Sequence, residues 1–409
     1  MTAHPREGLA AILARLTPGE RVFLPGSAAE IPALTDALFR PDAVALDITA
    51  SFVPGINPMP EGALPEGGRF ANPFAMRPAS PGFVQMPFSY GAYARALSRM
   101  AFDTCILHVA PPDRQGRASL GPAVEFAPIA MARSRRVIAV VNPMMPAIPG
   151  AARFDLSRAE AVVTLPAPLR VYEVGGASAE AQAIAAGIAR FVEDGSTLQI
   201  GLGKVPDALL RGLTDRQDLR LHSGMLSDGM QALAATGALA PACPAVSCVH
   251  VGSLAHYDWL RDRPGIAVRP VTETHAPAVL AALPRLVAVN GALSVDLFGQ
   301  ANLEMLGPRA ISGVGGAADF ARAAALAPDG ISVIGLPSTT PKGESRIVPA
   351  LQGVVSLPRQ DIDVVVTEHG AADLRGVGVA ERAERLIAIA APRHRPALSE
   401  ALAGLLARL

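Results

Sequence analysis

Cysteine is scarce in this chain: Cys105, Cys243 and Cys248 are the only three among 409 residues. So small and odd a number excludes a disulfide framework. Cys243, Cys248 and His250 together suggest a metal, but without a second Cys/His pair they lack the spacing of a zinc site, and no metal is expected. Charge is also sparse, at 18% of residues, with 36 basic and 36 acidic side chains. A chain without net charge has no global field for nucleic acid or an anionic membrane, so neither is an expected partner. Long apolar runs are absent. The best stretch, around VLAALPRLVAVNGAL, is broken by Arg285 short of the roughly 18 residues a spanning helix requires. The start, MTAHPREGLAAILARL, reads as a short amphipathic helix and not as a secretory signal. A soluble, cytoplasmic protein is expected.

What is present is apolar surface, at 50% of residues, in a chain long enough for two or three domains of roughly 150 residues each. Short β-branched runs (VFLPG, AVALDITASFV, CILHVAPP, VIAVVNP, AVVTLP) alternate with Ala-rich helical patterns. The second half repeats the rhythm in STLQIGLG, VAVNGALSVDL, ISVIGLPST and VDVVVTEHG. This is the βαβ alternation of a mostly parallel sheet. Helices are expected at 179–193 and 379–391. An internal echo supports two similar halves: VFLPGSAAEIPALTDALF and LQIGLGKVPDALLRGL each read strand, glycine loop, proline, helix. Proline suits the first helical turn, where its missing N–H has no partner to lose. The expectation is two tandem open, mostly parallel α/β domains, 1–180 and 190–409, the second carrying the active-site loops. The Pro/Gly-rich stretch 53–82 reads as a long irregular loop.

Four glycine-punctuated motifs crowd between Asn290 and Gly376: NGALSVDLFGQANLE, SGVGGAADF, PSTTPKGESRIVP and TEHGAADLRG. Each follows or interrupts an apolar run, which places it on a loop at a strand end, where α/β sheets bind ligands. With LHVAPPDRQGRASLGPAVE, VVNPMMPAIPG and GLGKVPDALL upstream, their order and spacing resemble the acetyl-CoA hydrolase/transferase family over nearly the whole chain. The resemblance implies two open α/β domains of the CoA-transferase type. It implies coenzyme A thioesters and a small carboxylic acid as substrates, and a homo-oligomer, expected as a dimer.

The family's chemistry uses a glutamate that attacks the acyl-CoA carbonyl and then carries CoA as an enzyme thioester. That glutamate stands in a turn followed by Ser-Asp-Gly. Here the matching stretch is LHSGMLSDG, and the nucleophile's position is Gly224, flanked by His222, Ser223, Met225, Ser227, Asp228 and Gly229. Glycine cannot attack anything, which closes the enzyme-thioester route if the match is placed correctly. A second departure is Ala317 after Gly315 and Gly316, where the resemblance expects a side-chain amide.

Several groups remain for thioester chemistry. Backbone N–H groups of Val314, Gly315 and Gly316 are expected to face an oxyanion. Lys342, Ser345 and Arg346 are expected to bind phosphate or pantetheine parts of CoA, and Gly201 and Gly203 to open a helix N-terminus toward an anion. His222 is a candidate base for water. Glu304, Asp228, Glu273, Glu344 and Glu368 are candidate replacement carboxylates, Glu304 being carried as catalytic. Each reading has a structural counterpart: a tight turn, a solvated loop, a hydrogen-bonded histidine. Three functions stay open: an acyl-CoA hydrolase or transferase without a glutamyl intermediate, a non-catalytic acyl-CoA binder, and a site for another phosphorylated ligand.

Overall fold

A computed structural model of the chain describes residues 5–59, 62–75, 81–261 and 263–407. They gather into two compact units. The first runs to Glu173 and takes in Pro244–Thr274 and Ile311–Gly315. The second holds Val174–Cys243, His275–Ala310 and the chain from Gly316 onward.

The first unit is built on seven strands in the order Phe83–Gln85, Arg69–Asn72, Asp47–Ala50, Arg21–Leu24, Phe102–Val109, Ser134–Val141, Ala161–Thr164, all paired parallel. Valine, isoleucine and leucine fill the two long central strands because both faces of a parallel sheet are covered. Three phenylalanines collect at one flank: Phe39 and Phe52 meet Phe70 edge-on at centroid distances of 5.2 and 5.3 Å. Phe70 belongs to the stretch read from sequence as irregular loop, and that reading is corrected here. Arg69–Asn72 is a strand, and the Asn72 amide fixes it by bonding both the N–H and the C=O of Phe52. Four residues between prolines and glycines are too few to show a period in sequence. Residues 60–61 and 76–80 of that stretch lie outside the described residues.

In the second unit the strands Arg220–Leu226, Thr197–Ile200, Leu286–Gly291, Ile331–Gly335 and Val364–Thr367 follow one another in parallel, and Gly370–Asp373 closes the edge as an antiparallel hairpin. The expected helices appear as Ala179–Ala189 and Val379–Ala388. Both units are open, mostly parallel α/β structures, as expected.

The echo between the halves is topological. In each unit the echoed strand lies between the next strand on one side and a later strand on the other: Arg21–Leu24 between Asp47–Ala50 and Phe102–Val109, Thr197–Ile200 between Arg220–Leu226 and Leu286–Gly291. Such a point of reversal leaves a crevice beyond the carboxyl ends of the strands. Pro32 is the first residue of its helix and Pro206 the third, both within the first turn.

Gly26, just past the strand Arg21–Leu24, shows how tightly the first crevice is built: a Cβ there would run into the Ser51 carbonyl and the Phe52 nitrogen, both backbone. Gly26→Ala is expected to destabilise the protein by about 1–3 kcal/mol, read from urea unfolding.

Candidate active site

Residues 220–226 form one continuous strand, not the turn expected for LHSGML. Side chains alternate along a strand, so His222 and position 224 share one face and Ser223 takes the other. The Ser223 hydroxyl lies 2.8 Å from the Ile200 carbonyl and 2.9 Å from that of Met225, and it accepts from the Ile200 N–H at 3.3 Å. It stitches the strand to its neighbour, so it is a poor nucleophile.

The face shared by His222 and Gly224 meets the ring of His275. A Cβ added to Gly224 would find two heavy atoms within 4 Å among the described residues, its chain neighbours aside: His275 Nε2 at 3.2 Å and Cε1 at 3.3 Å. The same nitrogen would stand 2.5 Å from a Cβ on Gly316. Gly316 caps the helix Ala317–Ala324, whose Phe320 ring meets His275 edge-on at 4.9 Å and His222 at 6.3 Å. The His275 imidazole thus packs against two bare α-carbons and one aromatic edge. Burial, and then the neighbouring His222, push its pKa down to about 3, so the ring is neutral at physiological pH.

Beyond the carboxyl ends of three neighbouring strands lies a cavity of about 430 Å³, lined by Gly203, Lys204, Asn290, Gly291, Pro337 and Arg346 among others. Gly203 adopts φ +128°, a conformation only glycine takes easily, and caps the helix Lys204–Gly212. Arg346 is half-buried. It donates to the carbonyls of Thr339 (Nε, 3.3 Å) and Leu293 (Nη1, 2.9 Å), and no carboxylate stands within ion-pair distance among the described residues. Burial lowers its pKa accordingly. Glu180, on the same wall, is raised by burial and by repulsion from Glu368. Glu180 attracts Arg346 from beyond ion-pair distance, and an arginine so placed on a cavity wall can take an anion.

The other expected residues are spread more widely. Gly201 N–H donates to Val289 O at 3.2 Å beside the cavity. Lys342 is exposed on a tight turn, and Ser345 donates to the Ile347 carbonyl at 2.7 Å. Glu304 accepts from Ser356 Oγ at 2.7 Å. Glu368 is held by Ser338 through Oγ at 2.5 Å and N–H at 2.9 Å, Glu344 pairs with Thr340, and Glu273 with Arg269. None of these four carboxylates stands within 4 Å of a Cβ at Gly224. Val314 and Gly315 belong to the first unit, where Gly315 adopts φ +58° and its carbonyl accepts from Tyr90 N–H at 2.9 Å.

Sequence reading missed two groups. His275, inside VTETHAP, carries no motif signal. Glu125 ends the apolar run GPAVE, and in the first unit its buried carboxylate accepts from Ser27 Oγ (2.8 Å), Ser51 Oγ (3.0 Å) and Tyr90 OH (3.3 Å). Glu125 and Ser27 both hold positive φ, at 36° and 48°. Burial outweighs the three hydroxyls and lifts the Glu125 pKa to about 7.

Two family models match the chain: the acetyl-CoA hydrolase/transferase N-terminal domain over residues 81–163 and the C-terminal domain over 252–402. A 4-hydroxybutyrate coenzyme A transferase of Clostridium kluyveri is 35% identical over 73% of this chain and 72% of its own. The chain belongs to the acetyl-CoA hydrolase/transferase family. A succinyl-CoA:acetate/propanoyl-CoA:succinate CoA transferase of Fasciola hepatica is 36% identical over 73% of this chain and spans 65% of its own length in the match. The crystal structure of RipA from Yersinia pestis superposes with a TM-score of 0.86 at 28% identity, covering 98% of this chain and 99% of that one. No helix among the described residues is long and apolar enough to cross a membrane.

The Glu125 carboxyl sets a testable pH dependence. Its folded pKa lies above the ordinary value, so between about pH 4.5 and 7 the folded state holds a proton that the unfolded state has lost, and stability falls as pH rises. Glu125→Gln removes that loss. Relative to the parent, the variant should gain up to about 3 kcal/mol between pH 5 and pH 8 in paired urea titrations.

Proposed function

We propose that this family member turns over short-chain acyl-CoA thioesters without forming an enzyme-bound thioester. The observation that carries this is the surroundings of Gly224: a Cβ there would meet an imidazole ring, and among the described residues, chain neighbours aside, no carboxylate stands within 4 Å of it.

Two reactions fit. In hydrolysis, a water oxygen bonds to the thioester carbonyl, the carbon–sulfur bond breaks, and CoA leaves as the thiolate. In direct transfer, the acceptor carboxylate makes that attack. The product is a mixed anhydride of the two small acids, and the CoA thiolate then attacks the acceptor's carbonyl, expelling the donor acid. Holding both partners in place supplies the advantage that a covalent carrier otherwise provides. The cavity beside Gly203 and Arg346 is assigned to an anionic portion of CoA, with Gly201 at its edge. Lys342 and Ser345, outside that cavity's wall, are assigned to outer parts of the nucleotide. Gly316 is assigned to the carbonyl oxygen. His222 is the base for water in the hydrolytic version, and Glu304 supports its own loop through Ser356. The two partners are acyl-CoA and a small carboxylic acid, with no metal. A cytoplasmic homodimer with sequence domains 1–180 and 190–409 completes the reading. A non-catalytic acyl-CoA binder is the alternative.

Thiol release over a panel of acyl-CoAs, with and without acetate, separates these functions. Release without an acceptor means hydrolase, exchange only with an acceptor means transferase, and binding with neither leaves the binder. If transfer is found, initial rates should give intersecting double-reciprocal lines, and borohydride should leave the enzyme active; parallel lines with borohydride inactivation would show a covalent carrier. Gly224→Glu alone is expected to be strained by His275. Gly224→Glu with His275→Asn should relieve the contact and introduce borohydride sensitivity.

A further inference from the structure

Resting on the thioester reading above, we infer that His275 is a catalytic residue of this site: its imidazole N–H donates a hydrogen bond to the thioester carbonyl oxygen as that oxygen gains charge, and the bare α-carbons at 224 and 316 are what allow the ring to reach it.

Three observations converge on this. The first is position. His275 Nε2 is the ring atom nearest to both glycines, at 3.2 Å from a Cβ on Gly224 and 2.5 Å from one on Gly316. It therefore stands between the strand that the family resemblance marks for the nucleophile and the first turn of the helix after SGVGG. The second is orientation. Phe320, from that helix, meets the ring edge-on at 4.9 Å and restricts its rotation. A donor that is already oriented loses little on reaction, which is the source of most oxyanion stabilisation. The third is chemistry. Ala317 offers a methyl where a side-chain donor would complete the turn, and Gly224 offers nothing. His275 is the polar side chain that meets Gly224 and Gly316, the residue before Ala317.

A buried neutral imidazole is a weak base, but it still carries one N–H, and neutral histidines are known to polarise carbonyls as donors. The step leaves the proton on the ring. The attacking oxygen bonds to carbon, the carbonyl π pair moves onto oxygen under the imidazole N–H, and the pair returns as the carbon–sulfur bond breaks. The ring takes no part in covalent change, so the same role serves water or an acceptor carboxylate as nucleophile.

Steady-state kinetics of the full-length protein with acetyl-CoA, the parent against His275→Ala and His275→Gln, tests this, with CoA affinity measured by calorimetry alongside. His275→Ala should lower kcat by roughly 100- to 1000-fold with KM and CoA affinity within about threefold of the parent. His275→Gln, which keeps an N–H, should recover at least tenfold of that loss. Unchanged kcat in His275→Ala, or equal losses in both variants, overturns the donor role while leaving the thioester reading intact. A parent that binds CoA and turns over no acyl-CoA in the panel overturns both. If His275→Ala fails to fold by circular dichroism, the comparison passes to His275→Gln and His275→Leu, which match in volume: kcat should differ at least tenfold in favour of Gln, and equality overturns the role.

Discussion

The approach of the His275 ring to Gly224 and Gly316 is the constraint on which the second unit's candidate site depends. The imidazole lies too close to Gly316 for a Cβ there, and close enough to Gly224 that a Cβ would make a tight contact. A Cβ on Gly316, 2.5 Å from the ring nitrogen, forces a shift, whereas one on Gly224, at 3.2 Å, asks the ring to give by a few tenths of an ångström. The two glycines therefore complement the histidine ring. The same packing strips water from the ring and suppresses its protonation, so position and electronic state have one cause.

Buried carboxyl and imidazole groups shift in opposite directions here. Glu125, in the first unit, is protonated more readily than a free carboxyl despite three hydroxyl donors. His275 in the second and His108 in the first, the latter held at about 4 by burial, are protonated less readily than free imidazole. The signs differ because burial disfavours whichever form carries charge: the carboxyl is pushed toward its neutral acid and the imidazole toward its neutral base. As pH falls below about 6.5 the histidines withhold stability, and as pH rises above about 4.5 Glu125 does. Functional sites tolerate such groups because neutral donors and acceptors away from water act more strongly on a reacting carbonyl.

Much of the architecture was legible in the amino-acid order. β-branched runs, Ala-rich helices and the echoed strand–glycine–proline–helix units sufficed for open parallel α/β halves, and the echoed strands lie at the point of reversal of their sheets. Gly203 and Arg346, chosen far apart in sequence, line one cavity because strand ends of a parallel sheet converge on one edge. The strand Arg69–Asn72 was not legible, since its pairing is secured by the Asn72 amide and no hydrophobic period marks it. Nor was the return of Pro244–Thr274 and Ile311–Gly315 to the first unit, which contacts alone define.

By itself, the order of residues determined the fold class, the family and the fact that position 224 has no side chain, because periodicity, motif spacing and residue identity are local properties of the chain. Only the tertiary structure decided what fills that position. His275 lies some fifty residues downstream in a segment without a motif, and its meeting with Gly224 and Gly316 arises from packing between a strand, a loop and a helix that no local pattern encodes.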